Sequence, residues 1–270
     1  MTSTVILAGC GNMGYAMLVG WLKSGRLAPG DAWVVEPNEA LRQRAADLGS
    51  HAVADSAALP SGLSPRLVVF AVKPQVMREV VAGYKAFADG KTTFLSIAAG
   101  TPIAIFEEIL GAVPVIRCMP NTPAAIGKGM MVTAANGLVT EAARDFVGGL
   151  LSASGEIAAV DDEALMDAVT AVSGSGPAYV FHFIEALTTA GEKAGLPSDT
   201  ARLLAMQTVY GAASLAAESR QEPGMLRQQV TSPNGTTAAA LAVLMGDDRL
   251  KNLVVEAVEA ARLRSIELGK

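Results

Sequence analysis

Three glycines stand first among the residues able to do chemistry. Gly9-Cys10-Gly11-Asn12-Met13-Gly14 follows an apolar run, Val5–Ala8, and leads into a segment with helical apolar spacing, Met13–Ser24. In G-x-G-x-x-G the first glycine permits a tight turn, the second lets an anion approach the backbone, and the third lets helix and strand pack closely. A pyrophosphate would then rest on the unpaired N–H groups and positive dipole end of the helix. The motif therefore predicts a bound dinucleotide, NADPH or NADH. Glu36 falls roughly twenty residues past Gly14, where an acidic side chain bonds the adenosine ribose hydroxyls and repels a 2′-phosphate. Asn38, Arg42 and Arg44 lie close enough in sequence for one of them to hold that phosphate, so both cofactors stay open.

Two further strand ends point at the same crevice, since open α/β sheets bind ligands beyond the carboxyl ends of their strands. Ala71-Val72-Lys73-Pro74 closes one, although a charged strand terminus before a breaker is a plain alternative for Lys73. Ala98-Ala99-Gly100 closes the next, with residues small enough to let a cofactor pass. Arg117–Pro123 is expected to be a rigid loop after a strand, because Pro120 and Pro123 lack donors. That loop brings Asn121 and Thr122 near the crevice as turn or site wall. In Val172–Tyr179, Ser175 reads as a helix cap and Pro177 as a first-turn residue. The segment Val230-Thr231-Ser232-Pro233-Asn234-Gly235-Thr236-Thr237 is more suggestive. A turn at Asn234-Gly235 opens the apolar helix up to Met245, so the N–H groups of Gly235, Thr236 and Thr237 are expected to point outward. That is a cradle for a carboxylate or phosphate, and its four hydroxyls exceed what capping requires.

Other chemistry is short of residues. Cys10 and Cys118 are the two cysteines and His51 and His182 the two histidines. No zinc-ligand spacing results, and no metal is expected. Two thiols fit a reduced compartment and supply no disulfide framework. His182 lies in an apolar helical context and reads as a buried structural residue, and His51 as a solvated loop residue. The net charge of −5, with no basic block, argues against nucleic acid. No apolar run is long enough for a membrane span. Val5–Ala8 runs straight into the glycine motif, leaving no room for a signal peptide. The expected location is cytoplasmic.

These residues need elements to position them. At 270 residues, 51% hydrophobic and 17% charged, the chain can bury a core and has the length of about two domains. Strand-like runs occur at Thr4–Ala8, Ala32–Glu36, Leu67–Val72, Thr93–Ile97 and Val113–Ile116, with helical patterns such as Glu39–Leu48 between them. Alternation of this kind predicts an α/β fold with a Rossmann-like parallel sheet covered on both faces over residues 1–160. After Ile157–Val160 the pattern is helical throughout, which predicts an all-α domain over residues 161–270. Tyr179–Lys193, Asp199–Glu218 and Thr236–Met245 are apolar around much of their circumference, so they need burial on every side. A unit this small cannot provide it alone, so a second copy is expected to cover them. The final helix, Asp247–Leu268, carries alternating charges and is expected outside.

GCGNMG, AVKPQ, RCMPNTPAAIGKG, SGSGPAY and VTSPNGTT together resemble the Δ1-pyrroline-5-carboxylate reductase family, in its order and spacing across nearly the whole chain. The last two segments are more specific than the glycine loop. The resemblance implies reduction of the cyclic imine 1-pyrroline-5-carboxylate to L-proline by NADPH or NADH, the last step of proline biosynthesis. It implies a homodimer interlocked through the C-terminal helices, assembled further into rings such as a decamer. It puts Gly11, Asn12 and Met13 on the pyrophosphate, with Gly9 and Gly14 in the same loop. Ala71, Val72, Lys73, Pro74, Ala98, Ala99 and Gly100 come along the nicotinamide side, and Glu36, Asn38 and Ser56 at the adenosine end. Val230, Gly235, Thr236 and Thr237 come to the substrate, with the Thr237 hydroxyl on the ring nitrogen as the catalytic contact. Glu163 matches a position used near the substrate. Some relatives differ at Glu36, Ser56 and Gln229. A hydroxyacid dehydrogenase would want a lysine acid, for which Lys193 at a helix end is the central candidate. A non-catalytic dinucleotide sensor would leave Thr231–Thr237 unexplained.

Overall fold

A computed structural model describes residues 4–269. Eight strands form one sheet: β1 (Val5–Ala8), β2 (Ala32–Val35), β3 (His51–Val53), β4 (Leu67–Phe70), β5 (Thr93–Ser96), β6 (Val115–Met119), β7 (Gly129–Ala135) and β8 (Gly155–Ala159). Their order is β3-β2-β1-β4-β5-β6-β7-β8, and every neighbouring pair is parallel except β6–β7. The order reverses between β2 and β4 around β1, so the crevice at the end of β1 is the topological switch point.

Strict alternation builds the two faces. Val5, Leu7, Leu67 and Val69 enter one core with Met17, Leu18 and Trp21 of helix α1 (Asn12–Lys23). Ile6, Ala8, Val68 and Phe70 enter the other. Successive strand side chains point to opposite faces, so a strand buried on both must be apolar at every position. Helix α2 (Glu39–Ala46) follows β2. The second core is closed by α3 (Met77–Ala82) and α4 (Ile103–Leu110), the first by α5 (Glu141–Leu151). Phe70 packs edge-on to Tyr84 at 5.3 Å between ring centres and is stacked with Phe94 at 6.2 Å. Each such fully buried ring contributes about 1.5–3 kcal/mol relative to exposure.

From residue 160 onward the described residues contain no strand. A short helix α6 (Met166–Val169) is followed by α7 (Gly176–Lys193), α8 (Ser198–Ser219), α9 (Pro223–Gln229), α10 (Thr236–Met245) and α11 (Arg249–Leu268). The chain divides into two compact units, Gly176–Ala260 and the remainder, with the residues from Ala261 onward belonging to the sheet-containing unit. Helices α7, α8 and α11 expose Phe181, Leu203, Tyr210 and Leu253, each more than half accessible in the single chain.

Several local expectations need correction. Arg117, Cys118 and Met119 continue β6 instead of entering a loop, paired with Ala134, Thr133 and Val132 of β7. Pro120 ends the strand only after these pairs are made. His51 lies on an edge strand, its ring stacked on Trp33 at 4.3 Å. Within the single chain the His182 side chain is 83% exposed, with Nδ1 3.1 Å from Glu185, so no described residue of its own chain buries it. Ser175 is helical (φ −82°, ψ −24°), not an extended cap, and its N–H donates to the Thr170 carbonyl at 2.8 Å in a π-type turn. Strands β3 and β7 and helix α9 have no counterpart in the sequence reading. Three residues are too few to show a period, and β7 alternates around glycine and methionines with weak strand preference.

Candidate active site

Gly9 begins the site with φ +91°, a conformation that L side chains rarely adopt. A Cβ there would stand 2.7 Å from the Ala71 carbonyl oxygen, and one on Gly14 would stand 2.5 Å from the Gly9 carbonyl oxygen. Both positions are closed to any side chain. At Gly11 a Cβ would meet nothing within 4 Å, so the middle glycine borders open space. Asn12 and Met13 open α1, and Gly11 caps it without a side-chain bond, which leaves the first N–H groups of the helix free for an anion.

A cleft of about 600 Å³ lies at these strand ends. Gly9, Gly11, Glu36, Ser56, Ala71, Val72 and Lys73 line it, whereas Asn12, Met13, Pro74, Ala98, Ala99 and Gly100, expected at the same crevice, do not. Gly14 lies buried beneath it. Asn38 does not line it; its side chain accepts the Leu41 N–H at 3.1 Å as the cap of α2. Pro74 opens a short 3-10 turn at the exposed rim. Ala98 is buried, its N–H on the Ser96 hydroxyl at 3.3 Å. Gly100 turns with φ +66° where the backbone of Leu268 comes to 3.2 Å from its Cβ direction. Asp55, Glu79 and Tyr84 also line the cleft and went unread in the sequence. Asp55 follows β3, so the missed strand hid it.

The residues present fit a dinucleotide. Open space at Gly11, against tight contact at Gly9 and Gly14, leaves a cradle where only a backbone without a side chain admits a pyrophosphate. Tyr84, in the cleft wall, carries a buried hydroxyl that has no partner among the described residues.

Glu36 turns inward. It is 7% exposed, with Oε2 accepting the Cys10 N–H at 2.7 Å and Oε1 accepting the Asn38 N–H at 2.9 Å. Cys10, between two of the glycines, has its thiol pushed up to about 11 by burial, with nearby Arg44 opposing the shift. It is no nucleophile at neutral pH.

Glu163 sits in the sheet-containing unit, where Oε1 accepts the Ile103 N–H at 2.9 Å and meets Arg117 Nη1 at 3.2 Å. Asn121 is a structural clasp: Oδ1 accepts the Met130 N–H at 2.9 Å and Nδ2 donates to Ser173 Oγ at 3.3 Å. In the helical unit, Asn234 adopts the left-handed conformation (φ 59°) and delivers the chain into α10. The Gly235 N–H does not point outward; it donates to the Ser232 carbonyl at 3.1 Å and closes the turn. The cradle is thus narrower than expected. It offers Thr236 and Thr237 N–H and hydroxyl groups, with no acceptor for them among the described residues. Val230 is 65% exposed nearby in sequence.

Similarity to known proteins runs through both halves. Residues 163–268 match the family model for pyrroline-5-carboxylate reductase dimerisation, and residues 4–100 match that for NADP oxidoreductase, coenzyme F420-dependent. Pyrroline-5-carboxylate reductase of Pseudomonas aeruginosa is 42% identical over 270 residues, covering 100% of this chain and 98% of the relative. The chain belongs to the pyrroline-5-carboxylate reductase family. The solved pyrroline-5-carboxylate reductase of Coxiella burnetii superposes with TM-score 0.93 at 35% identity, covering both chains fully. That of Plasmodium falciparum, with NADP bound, gives 0.85 at 29% identity, covering 99% of this chain and 98% of that one.

Membership explains the apolar helices of the C-terminal half: they form the family's dimerisation domain. Among the described residues no helix is long and apolar enough to cross a membrane, and no cluster of three or more His, Cys, Asp or Glu could hold a metal ion.

Proposed function

We propose that this protein is an NAD(P)H-dependent imine reductase that converts 1-pyrroline-5-carboxylate to L-proline, the last step of proline biosynthesis. The observation that carries the reading is the extent of the similarity. Identity of 42% runs over all 270 residues, helical half included, whereas a dinucleotide half alone would suit many reductases.

Residues 1–160 serve the cofactor and residues 161–270 serve substrate and dimer. Gly9, Gly11, Asn12, Met13 and Gly14 hold the pyrophosphate, and Glu36 and Ser56 the adenosine end, with Asn38 supporting Glu36 through its N–H. Ala71, Val72, Lys73, Pro74, Ala98, Ala99 and Gly100 border the nicotinamide, which when bound supplies a hydride to the imine carbon. Gly235, Thr236 and Thr237 shape the carboxylate cradle, in which Thr236 and Thr237 provide the donors. Val230 adjoins that cradle in sequence, and Glu163, in the sheet-containing unit, is assigned to the substrate by the family resemblance.

An imine carbon accepts hydride far more readily when its nitrogen is protonated. These site residues include no strong acid for that nitrogen, so the substrate enters as, or equilibrates with, the iminium. Thr237 orients the ring nitrogen and stabilises its proton through the hydroxyl. The chief contribution of the chain is then orientation, which can lower such barriers by roughly 7–11 kcal/mol when reacting atoms are held about 3–3.5 Å apart. The protein works in the cytoplasm as a homodimer through its C-terminal helices, with rings such as a decamer as the larger assembly.

Purified protein mixed with pyrroline-5-carboxylate and reduced nicotinamide cofactor should consume the cofactor's near-ultraviolet absorbance and release proline. Absence of proline under conditions where the cofactor binds would overturn the reading.

A further inference from the structure

Charge in the cleft is one-sided. Its walls carry three carboxylates, Glu36, Asp55 and Glu79, against a single cation, Lys73, among the described residues. Glu36 is locked by two backbone donors, the N–H groups of Cys10 and Asn38. A carboxylate offers about four lone-pair directions, so two bonds leave room for ribose hydroxyls to donate to it.

The cations that the sequence places nearby are engaged elsewhere. Arg42 Nη1 donates to the carbonyls of Glu36 and Pro37, both at 3.0 Å. Arg44 Nη2 donates to the carbonyls of Cys10 at 2.7 Å and Gly11 at 3.3 Å, and its guanidinium lies 3.9 Å from the centre of the Tyr15 ring. Neither arginine lines the cleft. Arg42 braces the turn after β2 and Arg44 the glycine loop, instead of facing a ligand.

We propose that the adenosine end of this cleft selects a dinucleotide with a free 2′-hydroxyl, NADH over NADPH, and that Glu36 is the residue that determines the choice. The inference rests on the dinucleotide reading of the cleft given above. A 2′-phosphate carries a charge of about −1.5 to −2 at neutral pH. Placed against a 7% exposed carboxylate it would lose water and gain a like-charged neighbour, and the repulsion strengthens as the local dielectric falls. Arg42 stands at the tip of β2 on the Glu36 and Pro37 carbonyls and Arg44 on those of Cys10 and Gly11, but neither lines the cleft, so Lys73 is the one cation among its described lining residues. A ribose hydroxyl in the same place donates a charge-assisted hydrogen bond.

Calorimetric titration of the full-length protein with AMP and with adenosine 2′,5′-bisphosphate, which differ only in the 2′-phosphate, isolates this end of the ligand. Fluorescence titration with NADH and NADPH tests the whole cofactor. Each 2′-phosphorylated ligand should bind at least about tenfold more weakly than its partner. Glu36→Gln, which keeps an acceptor for one N–H and removes the charge, should narrow that gap about tenfold. Glu36→Asp, which keeps the charge, should preserve it. Equal or tighter binding of NADPH by the unaltered protein overturns the inference, as does an unchanged ratio in a folded Glu36→Gln protein. Should Glu36→Gln fail to fold, the unaltered protein's ratio decides alone. Binding of neither cofactor overturns the dinucleotide reading itself, and this inference with it.

Discussion

Glu163 places its carboxylate at the open end of α4, with Oε1 accepting the Ile103 N–H at 2.9 Å. The same oxygen meets Arg117 Nη1 at 3.2 Å, so one acid ties the helix after Gly100 to a charged residue inside β6. The Arg117 side chain is 7% exposed and that of Glu163 31%. Removing the acid leaves a nearly buried guanidinium without its counter-charge, which is expensive in a sheet interior.

Glu163→Gln should therefore lower stability by about 1–3 kcal/mol, less than a fully buried pair because one partner is part-solvated. Urea denaturation measures it, and an unchanged midpoint would count against the strut. A higher KM for pyrroline-5-carboxylate at undiminished stability would instead point to direct substrate contact.

Gly11 and Gly14 should separate by the kind of damage they do. Gly14→Ala forces a methyl to 2.5 Å from the Gly9 carbonyl oxygen and should cost about 1–3 kcal/mol as the helix shifts off the strand. Gly11→Ala meets no atom within 4 Å and has an ordinary φ of −63°, so the melting temperature should stay near that of the parent. Its methyl occupies the space a pyrophosphate needs, so dinucleotide affinity should fall at least about tenfold. Thermal melts and cofactor titrations of the two proteins give the comparison. Equal melting temperatures for both would defeat it.

Thr237→Ala tests the substrate cradle. A lost hydrogen bond to a charged group is worth about 1.5–3 kcal/mol, so kcat should drop about ten- to a hundredfold while dinucleotide binding is retained. Unchanged steady-state kinetics would remove Thr237 from the mechanism.

Burial pushes the thiol of Cys118 up to about 12 and that of Cys10 up to about 11, and raises the Tyr84 phenol as well. At pH 8 only about one Cys10 thiol in a thousand is thiolate, so alkylation should be slow in the folded protein and rapid in urea. The folded state holds these protons more tightly than the unfolded chain. Their contribution to stability is therefore complete below the ordinary thiol value of 9.0 and is lost as pH rises through 11 to 12. Denaturation midpoints measured from pH 7 upward should be flat, so far as these groups matter, and then fall above pH 9. Rising stability across that range would contradict the assignment.

Short-range pattern made the central architecture readable. Val5–Ala8 and Leu67–Phe70 are apolar at every position, which only a strand covered on both faces requires, and the three glycines mark the turn beneath a dinucleotide by their spacing alone. The Asn234-Gly235 turn into α10 was legible for the same reason, because turn residues and an apolar helix adjoin in sequence. Features that depend on distant partners were not. Arg117 looked like the end of a strand because the acid that permits a charge inside β6 lies 46 residues further on. His182 looked buried because periodicity reports that a face is apolar and says nothing about which surface covers it. Whether Glu36 faced the cleft, and whether Arg42 and Arg44 were free, turned on hydrogen bonds to backbone groups that come within reach only after the sheet has formed. Sequence determines which residues must be covered and where the chain must turn. Tertiary structure alone decides which polar groups meet, since each such meeting needs a partner that burial elsewhere brings into place.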